Sequence, residues 1–234
     1  MHEPHLEASE AHLRYPTQHV TTTVVESREL APTAFHLIVQ RRGFVFQAGM
    51  VVTIHGSDPL EDRDYTLCSG TADPDLHILY RYIPTGRLTS KLVQLKVGDP
   101  VEMTGPFGQF VVRDLTRPSV FIATGTGIAP CRSYVRSHSS LPLTILHGAR
   151  RPHDLFFANE FRHANYFPCV SQEFFEGFKG RVTDRLSRMK FDTGTHYYLC
   201  GAYEMIHDVT TILNERGVPP ADIFTEAYYY QAGA

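Results

Sequence analysis

Apolar and polar residues alternate in short runs along the first half of the chain, between His19 and about Arg113. Turn-forming residues separate the runs, and a period of two is typical of β-strands that bury one face. The runs are HVTTTVVESREL, AFHLIVQ, MVVTIH, RDYTLCS, LHILYRYI, PVEMTG and QFVV. Only one helix fits between them, near Thr89–Leu95. This half of the chain therefore predicts a small antiparallel β-barrel.

The pattern changes after a polar hinge at Arg113–Pro118, where short apolar runs begin to alternate with helical segments. The runs are SVFIAT, LTILHG, YFPCVS, YYLCG and DIFTE, and the helical segments lie after Pro130, at Asp154–Ala164, near Thr183–Met189 and near 203–216. Such alternation predicts a doubly wound parallel sheet. We expect a flexible tail at residues 1–18, a β-barrel domain at 19–115 and an α/β domain at 116–234.

Composition acts mainly by excluding classes of function. The formal net charge of −3 and the dispersed Lys and Arg residues argue against a nucleic-acid partner. No stretch approaches the roughly 20 apolar residues of a membrane span, and the N-terminus has no apolar core like that of a signal peptide. We therefore expect a soluble, cytoplasmic protein without a membrane partner.

Metal sites are not indicated by the cysteines or the histidines. Cys68, Cys131, Cys169 and Cys200 are widely spaced and form neither a C-x-x-C pair nor an iron-sulphur run, so we expect four reduced thiols. The tail histidines could bind a metal ion, but we predict no metal site; they are His2, His5, His12 and His19.

A glycine-rich stretch, Thr124-Gly-Thr-Gly-Ile-Ala-Pro130, lies between the apolar run Val120–Ala123 and a predicted helix. Glycines in such a turn let backbone N–H groups approach a pyrophosphate, and the N-terminus of the following helix adds positive potential. Pro130 suits a first helical turn, but it stands where the dinucleotide fingerprint has its third glycine. Taken alone, the stretch predicts either a nucleotide-binding turn or a purely structural one.

A second candidate lies in the first half, at Arg63-Asp-Tyr65-Thr66. An arginine can hold a phosphate with two hydrogen bonds, a tyrosine can stack on an aromatic ring, and a neighbouring hydroxyl can reach a ring nitrogen. Downstream, Gly86 precedes the helix predicted near Thr89, which offers another N-terminus for a phosphate.

Six motifs in order resemble the ferredoxin-NADP reductase superfamily: R-x-Y-[ST], P-x-G-x-x-[ST], G-P-x-G, G-T-G-I-A-P, C-G and a terminal E-x-aromatic. Each motif is common, but six in this order are specific, and they cover about residues 19–230. The resemblance implies an antiparallel FAD-binding β-barrel followed by a doubly wound nucleotide-binding domain, without an iron-sulphur domain.

The resemblance assigns FAD contacts to the first half. Arg63 would hold the pyrophosphate, Tyr65 would stack on the isoalloxazine, and Thr66 would form a hydrogen bond near flavin N5. Further FAD contacts would come from Arg81, Tyr82, Gly86 and Thr89, with the loop Gly105–Gly108 close by.

It also assigns NAD(P) contacts to the second half, where Thr124, Gly125, Thr126 and Gly127 would cradle the nucleotide. Cys200-Gly201 would place a thiol beside the nicotinamide, although the residue alone is equally compatible with a small buried cysteine. Glu226 would be a polar or proton-handling neighbour, and Tyr228 would cover the flavin and move aside for the nicotinamide. Because the chain continues past Tyr228, Tyr229 is a second candidate, either for the flavin or for the FAD adenine.

The choice between NAD and NADP stays open. Arg150, Arg151 and Arg181 could bind a 2′-phosphate. The Ser-Arg-Glu of many NADP-using relatives is Ser171-Gln172-Glu173 here, so one phosphate clamp is missing.

Together these features predict a flavoprotein oxidoreductase that transfers hydride between NAD(P)H and FAD. Its electrons would pass to a separate protein, which the resemblance suggests is a ferredoxin, a flavodoxin or an oxygenase component. The alternatives are a reductase of free flavins or ferric chelates, and a non-catalytic electron-transfer or regulatory subunit. The direction of electron flow and the oligomeric state stay open.

Overall fold

The structure, a computed structural model, describes residues 15–138 and 143–228. The chain divides into two compact units, Met1–Asp114 and Leu115–Ala234. Most of the predicted tail, with its first three histidines, lies outside the described residues, as does Tyr229. No helix in the described ranges combines the length and the apolar character that crossing a membrane requires.

The first unit is a six-stranded antiparallel sheet in the order β4-β3-β6-β1-β2-β5. Its strands are β1 (Gln18–Ala31), β2 (Ala34–Gln40), β3 (Val51–Ile54), β4 (Arg63–Thr66), β5 (Asp75–Arg81) and β6 (Pro100–Phe107). Just beyond β4, Leu67 pairs with Ile78 of β5, and the Cys68 N–H donates to the His77 carbonyl at 2.8 Å. These contacts join the two edge strands, so the sheet closes into the barrel that the sequence predicted.

Alternate residues of the barrel strands point inward and form one buried cluster, which includes Leu37, Val52, Leu76 and Met103. Helix α1 (Arg87–Leu92) contributes Leu88 and Leu92 to the same cluster. It begins two residues earlier than predicted, directly after Gly86. A single core therefore holds the whole unit together.

One predicted strand, QFVV at 109–112, is wrong. These residues follow β6 without forming a ladder, although Phe110 and Val112 are both buried. The alternation in the sequence thus reflects the burial of every second side chain, which an irregular segment can achieve as well as a strand can.

The second unit is a parallel sheet in the order β10-β9-β8-β7-β11-β12. Its strands are β7 (Ser119–Thr124), β8 (Leu143–Ala149), β9 (Asn165–Val170), β10 (Phe178–Lys179), β11 (His196–Gly201) and β12 (Ile223–Ala227), and its helices are α2 (Ala129–Ser137), α3 (Val182–Ser187) and α4 (Tyr203–Glu215). The chain builds outward from β7 in one direction and then returns to add β11 on the other side. The predicted doubly wound sheet is therefore confirmed, with its switch point between β7 and β11.

The helical segment predicted at Asp154–Ala164 is wrong as well. The structure has two short 3-10 turns, Pro152–Asp154 and Ala158–Phe161, because Phe157 between them adopts a left-handed conformation with φ +58°. The Arg132 guanidinium lies 4.1 Å from the Phe157 ring centroid and also binds both carboxylate oxygens of Glu160. These tertiary contacts favour the bent path over helix propensity. The short edge strand β10 was not predicted.

Candidate functional site

Arg63 begins β4, directly after a 3-10 turn at Pro59–Glu61. Its Nη1 donates to the carbonyls of Leu60 at 2.9 Å and of Asp62 at 2.7 Å, which fixes the guanidinium over the turn. Its Nε and Nη2 form no hydrogen bond with any described residue, and the side chain is exposed. One edge of the guanidinium is thus available for an anionic group such as a phosphate.

The turn that holds Arg63 is itself tied to α1. Glu61 is buried and accepts hydrogen bonds from Lys91 Nζ at 2.6 Å and from the Ser57 N–H at 3.0 Å. The Lys91 hydrogen bond is the main reason why the pKa of Glu61 is lowered. Lys91 lies in α1, so its contact with Glu61 joins the turn before Arg63 to that helix. Sequence reasoning missed Glu61, because no motif marks it.

Asp62 fastens the other side of the turn. Its carboxylate accepts the Gly56 N–H at 2.9 Å and lies 2.7 Å from His55 Nδ1. The Gly56 N–H, followed by His55, lowers the pKa of Asp62. Both neighbours of Arg63 in the turn are therefore held as charged carboxylates, which stabilise the loop around it.

Tyr65 and Thr66 complete β4. Tyr65 is half-buried, with its ring edge-on to Tyr80 at 6.2 Å, and burial raises its pKa, so the phenol is neutral. Thr66 is buried at 4% exposure. Tyr82 lies edge-on to Phe35 at 6.3 Å. The strand therefore presents an exposed cation and a partly covered ring in succession, as the predicted FAD contacts require.

Thr89 and Gly86 interact with each other. The buried Thr89 hydroxyl accepts the Ile83 N–H at 3.2 Å and donates to the Ile83 carbonyl at 3.0 Å. A methyl group on Gly86 would come within 2.7 Å of the same hydroxyl. Thr89 thus shapes the turn before α1, and its predicted contact with FAD stays a prediction, as does that of the exposed Arg81.

The glycine turn of the second unit spans Gly125–Ile128 and leads directly into α2. Gly125 has φ +55°, and Gly127 packs so closely on the Cys200 carbonyl that a side chain has no space. The hydroxyl of Thr124 accepts the Ala202 N–H at 3.1 Å. These contacts join the carboxyl ends of β7 and β11, the position at which doubly wound sheets bind ligands.

Cys200, Glu226 and Tyr228 come together beside this turn. Cys200 pairs with Glu226 in the register of β11 and β12, with 3.8 Å between Sγ and Oε2, and the Tyr228 N–H donates to the Gly201 carbonyl at 2.9 Å. Burial, and then the Glu226 carboxylate, raise the pKa of Cys200 far above its ordinary value. The sulphur is therefore a neutral thiol. The structure thus gathers the predicted catalytic residues of this unit, whereas Thr66 belongs to the first.

The three arginines considered for a 2′-phosphate have different settings. Arg151 Nε lies 3.2 Å from Glu173 Oε1 in an exposed ion pair. The Arg150 carbonyl accepts the Gln172 N–H at 3.0 Å, so the ends of β8 and β9 run together. Arg181 precedes α3, and its backbone N–H donates to Asp184 at 2.7 Å. The acidic partner of Arg151, Glu173, belongs to the Ser171-Gln172-Glu173 segment, which lacks the arginine of the Ser-Arg-Glu motif.

Two protein families match consecutive parts of the chain. Residues 17–112 match the oxidoreductase FAD-binding domain, and residues 121–211 match the oxidoreductase NAD-binding domain. The reductase component of phenol 2-monooxygenase from Pseudomonas sp. (strain CF600) is 32% identical over 258 residues, which covers 98% of this chain and 71% of that protein. The chain therefore belongs to the family of FAD- and NAD-binding oxidoreductases related to ferredoxin-NADP reductase.

Two further proteins illustrate the range of the likeness. The toluate 1,2-dioxygenase electron transfer component from Pseudomonas putida is 31% identical over 199 residues, and the chain spans only 59% of its length. A ferredoxin NADP+ reductase from Neisseria gonorrhoeae, with bound FAD and NADP, has a TM-score of 0.80 at 17% identity, covering 90% of this chain and 99% of that one. The second likeness concerns the fold alone.

Proposed function

We propose that this chain is a flavoprotein oxidoreductase that transfers hydride between NAD(P)H and FAD and passes electrons to a separate protein. The observation that carries the proposal is the glycine turn at the switch point, packed on Cys200 beside Glu226, in one chain with the Arg63–Thr66 strand. FAD, when bound, supplies the hydride and electron-transfer chemistry. The residues of the chain bind it, orient the nicotinamide and exclude water.

In the first unit, Arg63 binds the FAD pyrophosphate with the donors that the turn leaves available. Tyr65 would supply an aromatic ring to the isoalloxazine, and the Thr66 hydroxyl would form a hydrogen bond near N5. Arg81, Tyr82, Gly86 and Thr89 form the remaining contacts. Because Glu61 and Asp62 fix the turn before binding, little conformational entropy is lost when Arg63 engages the phosphate.

In the second unit, the backbone N–H groups of residues 124–127 and the start of α2 receive the nucleotide phosphates. The Cys200 thiol, being neutral, would pack beside the nicotinamide without acting as a nucleophile toward its ring. Glu226 would hold a proton or a hydrogen bond at Oε2, and Tyr228 would be the residue that covers the flavin. Tyr229 is the second candidate for that cover, and Arg150, Arg151 and Arg181 for the 2′ position of the ribose.

The acceptor we propose is a ferredoxin, a flavodoxin or an oxygenase component. The support is that two relatives are named as a reductase component and an electron transfer component of oxygenases. The cytoplasmic location expected from the sequence stays a prediction.

The test is the visible spectrum of the purified protein and its anaerobic bleaching by NADH and NADPH in parallel. We expect a yellow protein that at least one nucleotide bleaches. A colourless protein without affinity for FAD would exclude the proposal. Turnover that requires added free flavin would favour a free-flavin reductase, and bound flavin that neither nucleotide reduces would favour a non-catalytic subunit.

A further inference from the structure

His55 directly follows β3 and lies where that strand meets β1 and β6. Its backbone N–H donates to the Glu102 carbonyl of β6 at 2.9 Å. Its ring stacks on that of His19 in β1, with 5.4 Å between the two centroids. Its Nε2 lies 2.7 Å from the hydroxyl oxygen of Thr104, which pairs with His19 in the register of β1 and β6. The imidazole is thus fixed against neighbouring strands of the barrel.

The other ring nitrogen of His55 is directed at the turn before Arg63. Nδ1 lies 2.7 Å from Asp62 Oδ2, and the second carboxylate oxygen, Oδ1, accepts the Gly56 N–H at 2.9 Å. These two hydrogen bonds, that of Gly56 first, hold the pKa of Asp62 below its ordinary value, so the group is a carboxylate at neutral pH. Because a carboxylate can only accept, Nδ1 carries a proton. His55 therefore donates a charge-assisted hydrogen bond to Asp62.

Asp62 passes this constraint to Arg63 through the main chain. The Asp62 carbonyl accepts a hydrogen bond from Arg63 Nη1 at 2.7 Å, and the Leu60 carbonyl accepts one from the same nitrogen at 2.9 Å. Both side-chain oxygens of Asp62 are held, which restricts its backbone and the carbonyl on which the guanidinium rests. The direction of the remaining donors, Nε and Nη2 of Arg63, depends on that carbonyl.

We propose that His55 is a positioning residue for the FAD pyrophosphate: it holds Asp62 so that the guanidinium of Arg63 is aimed before the phosphate arrives. The inference rests on the proposed function, because it requires Arg63 to bind that pyrophosphate. Thr104 acts one step behind, since its hydroxyl orients the imidazole. Fixing a binding group in advance raises affinity, because less conformational freedom is lost on binding. His55 lies outside the six motifs, so nothing in the sequence marks it.

Two substitutions separate the roles of the two ring nitrogens. His55→Asn places an amide near the position of Nδ1, which can still donate to Asp62. His55→Gln places its amide near the position of Nε2 and removes the donor that Asp62 accepts. Fluorescence titration of the flavin-free proteins gives the dissociation constant for FAD. We expect His55→Gln to weaken FAD binding about threefold to tenfold, an effect the size of one ordinary hydrogen bond, and His55→Asn to stay within about twofold of the wild type.

A double-mutant cycle with Arg63→Ala tests whether the effect passes through Arg63. If His55 positions the guanidinium, His55→Gln should weaken FAD binding no further once the guanidinium is removed. A general loosening of the barrel would instead weaken FAD binding equally in both backgrounds.

Three outcomes would overturn the inference while leaving the proposed function intact: additive effects in the cycle, equal FAD affinity of His55→Gln and the wild type, or equal weakening by His55→Gln and His55→Asn. A wild-type protein without affinity for FAD would instead overturn the proposed function, and the inference with it.

The wild-type protein alone gives a second test, independent of whether the variants fold. Long-range nitrogen-15 NMR of the imidazole identifies the ring nitrogen of His55 that carries a proton. We expect a proton on Nδ1. A neutral ring protonated only at Nε2 would refute the inference, because it could not donate to Asp62.

Discussion

At the scale of the residue, Arg63 combines fixed geometry with unused donors. We predict that Arg63→Ala weakens FAD binding at least about tenfold, because charged hydrogen bonds contribute about 1.5–3 kcal/mol each. Fluorescence titration of the flavin-free protein measures this loss. Lys96→Ala removes an exposed cation of the same unit and should leave FAD binding unchanged. Equal FAD affinity in Arg63→Ala and the wild type would show that the phosphate binds elsewhere.

His147, a fully buried histidine of β8, leads to a prediction about pH. Its folded pKa of about 3 lies below the unfolded value of 6.5, so acid protonates the unfolded chain first, and the native state loses stability as pH falls below 6.5. Between pH 7 and pH 5, this loss amounts to about 2 kcal/mol at 1.36 kcal/mol per pH unit. His147→Gln should remove that part of the pH dependence. Urea unfolding at pH 7 and pH 5 measures the free energy of unfolding of both proteins. An equal change between the two pH values in the wild type and His147→Gln would contradict the prediction.

A motif in the sequence marks Arg63, Cys200 and Glu226, and their roles stay predictions. The structure places Cys200 and Glu226 side by side because the register of β11 and β12 aligns them. Glu61 and His147 were not predictable in the same way. Each contacts a partner distant in the chain, Lys91 in one case and Tyr166 in the other, and a single sequence does not show such proximity.

At the scale of the element, the glycine turn depends on its close contact with β11. We predict that Gly127→Ala lowers the free energy of unfolding by about 1–3 kcal/mol, because the new methyl group overlaps the Cys200 carbonyl and the backbone must move. Nucleotide binding should weaken as well. Gly125→Asn is the matched control for stability, since it has open space and asparagine tolerates a positive φ. Denaturant unfolding compares the two, and an equal cost in both would contradict the prediction.

Most elements could be predicted because burial and secondary structure share a period. The strand predicted at 109–112 and the helix predicted at Asp154–Ala164 were wrong because the burial pattern of these segments does not correspond to their secondary structure. In the segment 109–112, buried side chains alternate without a ladder, and in Asp154–Ala164 the contacts of Phe157 and Glu160 with Arg132 bend a helix-like sequence into two turns. Both outcomes depend on tertiary partners, which local pattern does not report.

At the scale of the whole molecule, we predict a chain that carries FAD but no iron. Each of the four cysteines is buried as a free thiol. Their positions are Cys68 after β4, Cys131 in α2, Cys169 in β9 and Cys200 in β11. Metal analysis and low-temperature EPR of the NAD(P)H-reduced protein should show about one flavin per chain and no iron-sulphur signal. Stoichiometric iron would contradict the prediction, because the flavin could then pass its electrons to an iron centre in the same chain.

The change of hydrophobic pattern after residue 113 was enough to predict the two-unit architecture, because alternating short runs and strand-helix alternation are typical of different types of sheet. Net charge was not enough to identify an acceptor. A formal charge of −3 spread over 234 residues defines no docking surface, so the choice of partner depends on local surfaces that the sequence does not delimit.

The burial of the four thiols protects them from oxidation. Reduced flavins react with dioxygen and release peroxide, so the proposed flavoprotein would make an oxidant next to its own polypeptide. Peroxide attacks thiolates that solvent can reach. All four sulphurs are enclosed, and the raised pKa values of Cys131, Cys169 and Cys200 keep those three protonated. Idle turnover in air should therefore leave the four cysteine thiols chemically intact.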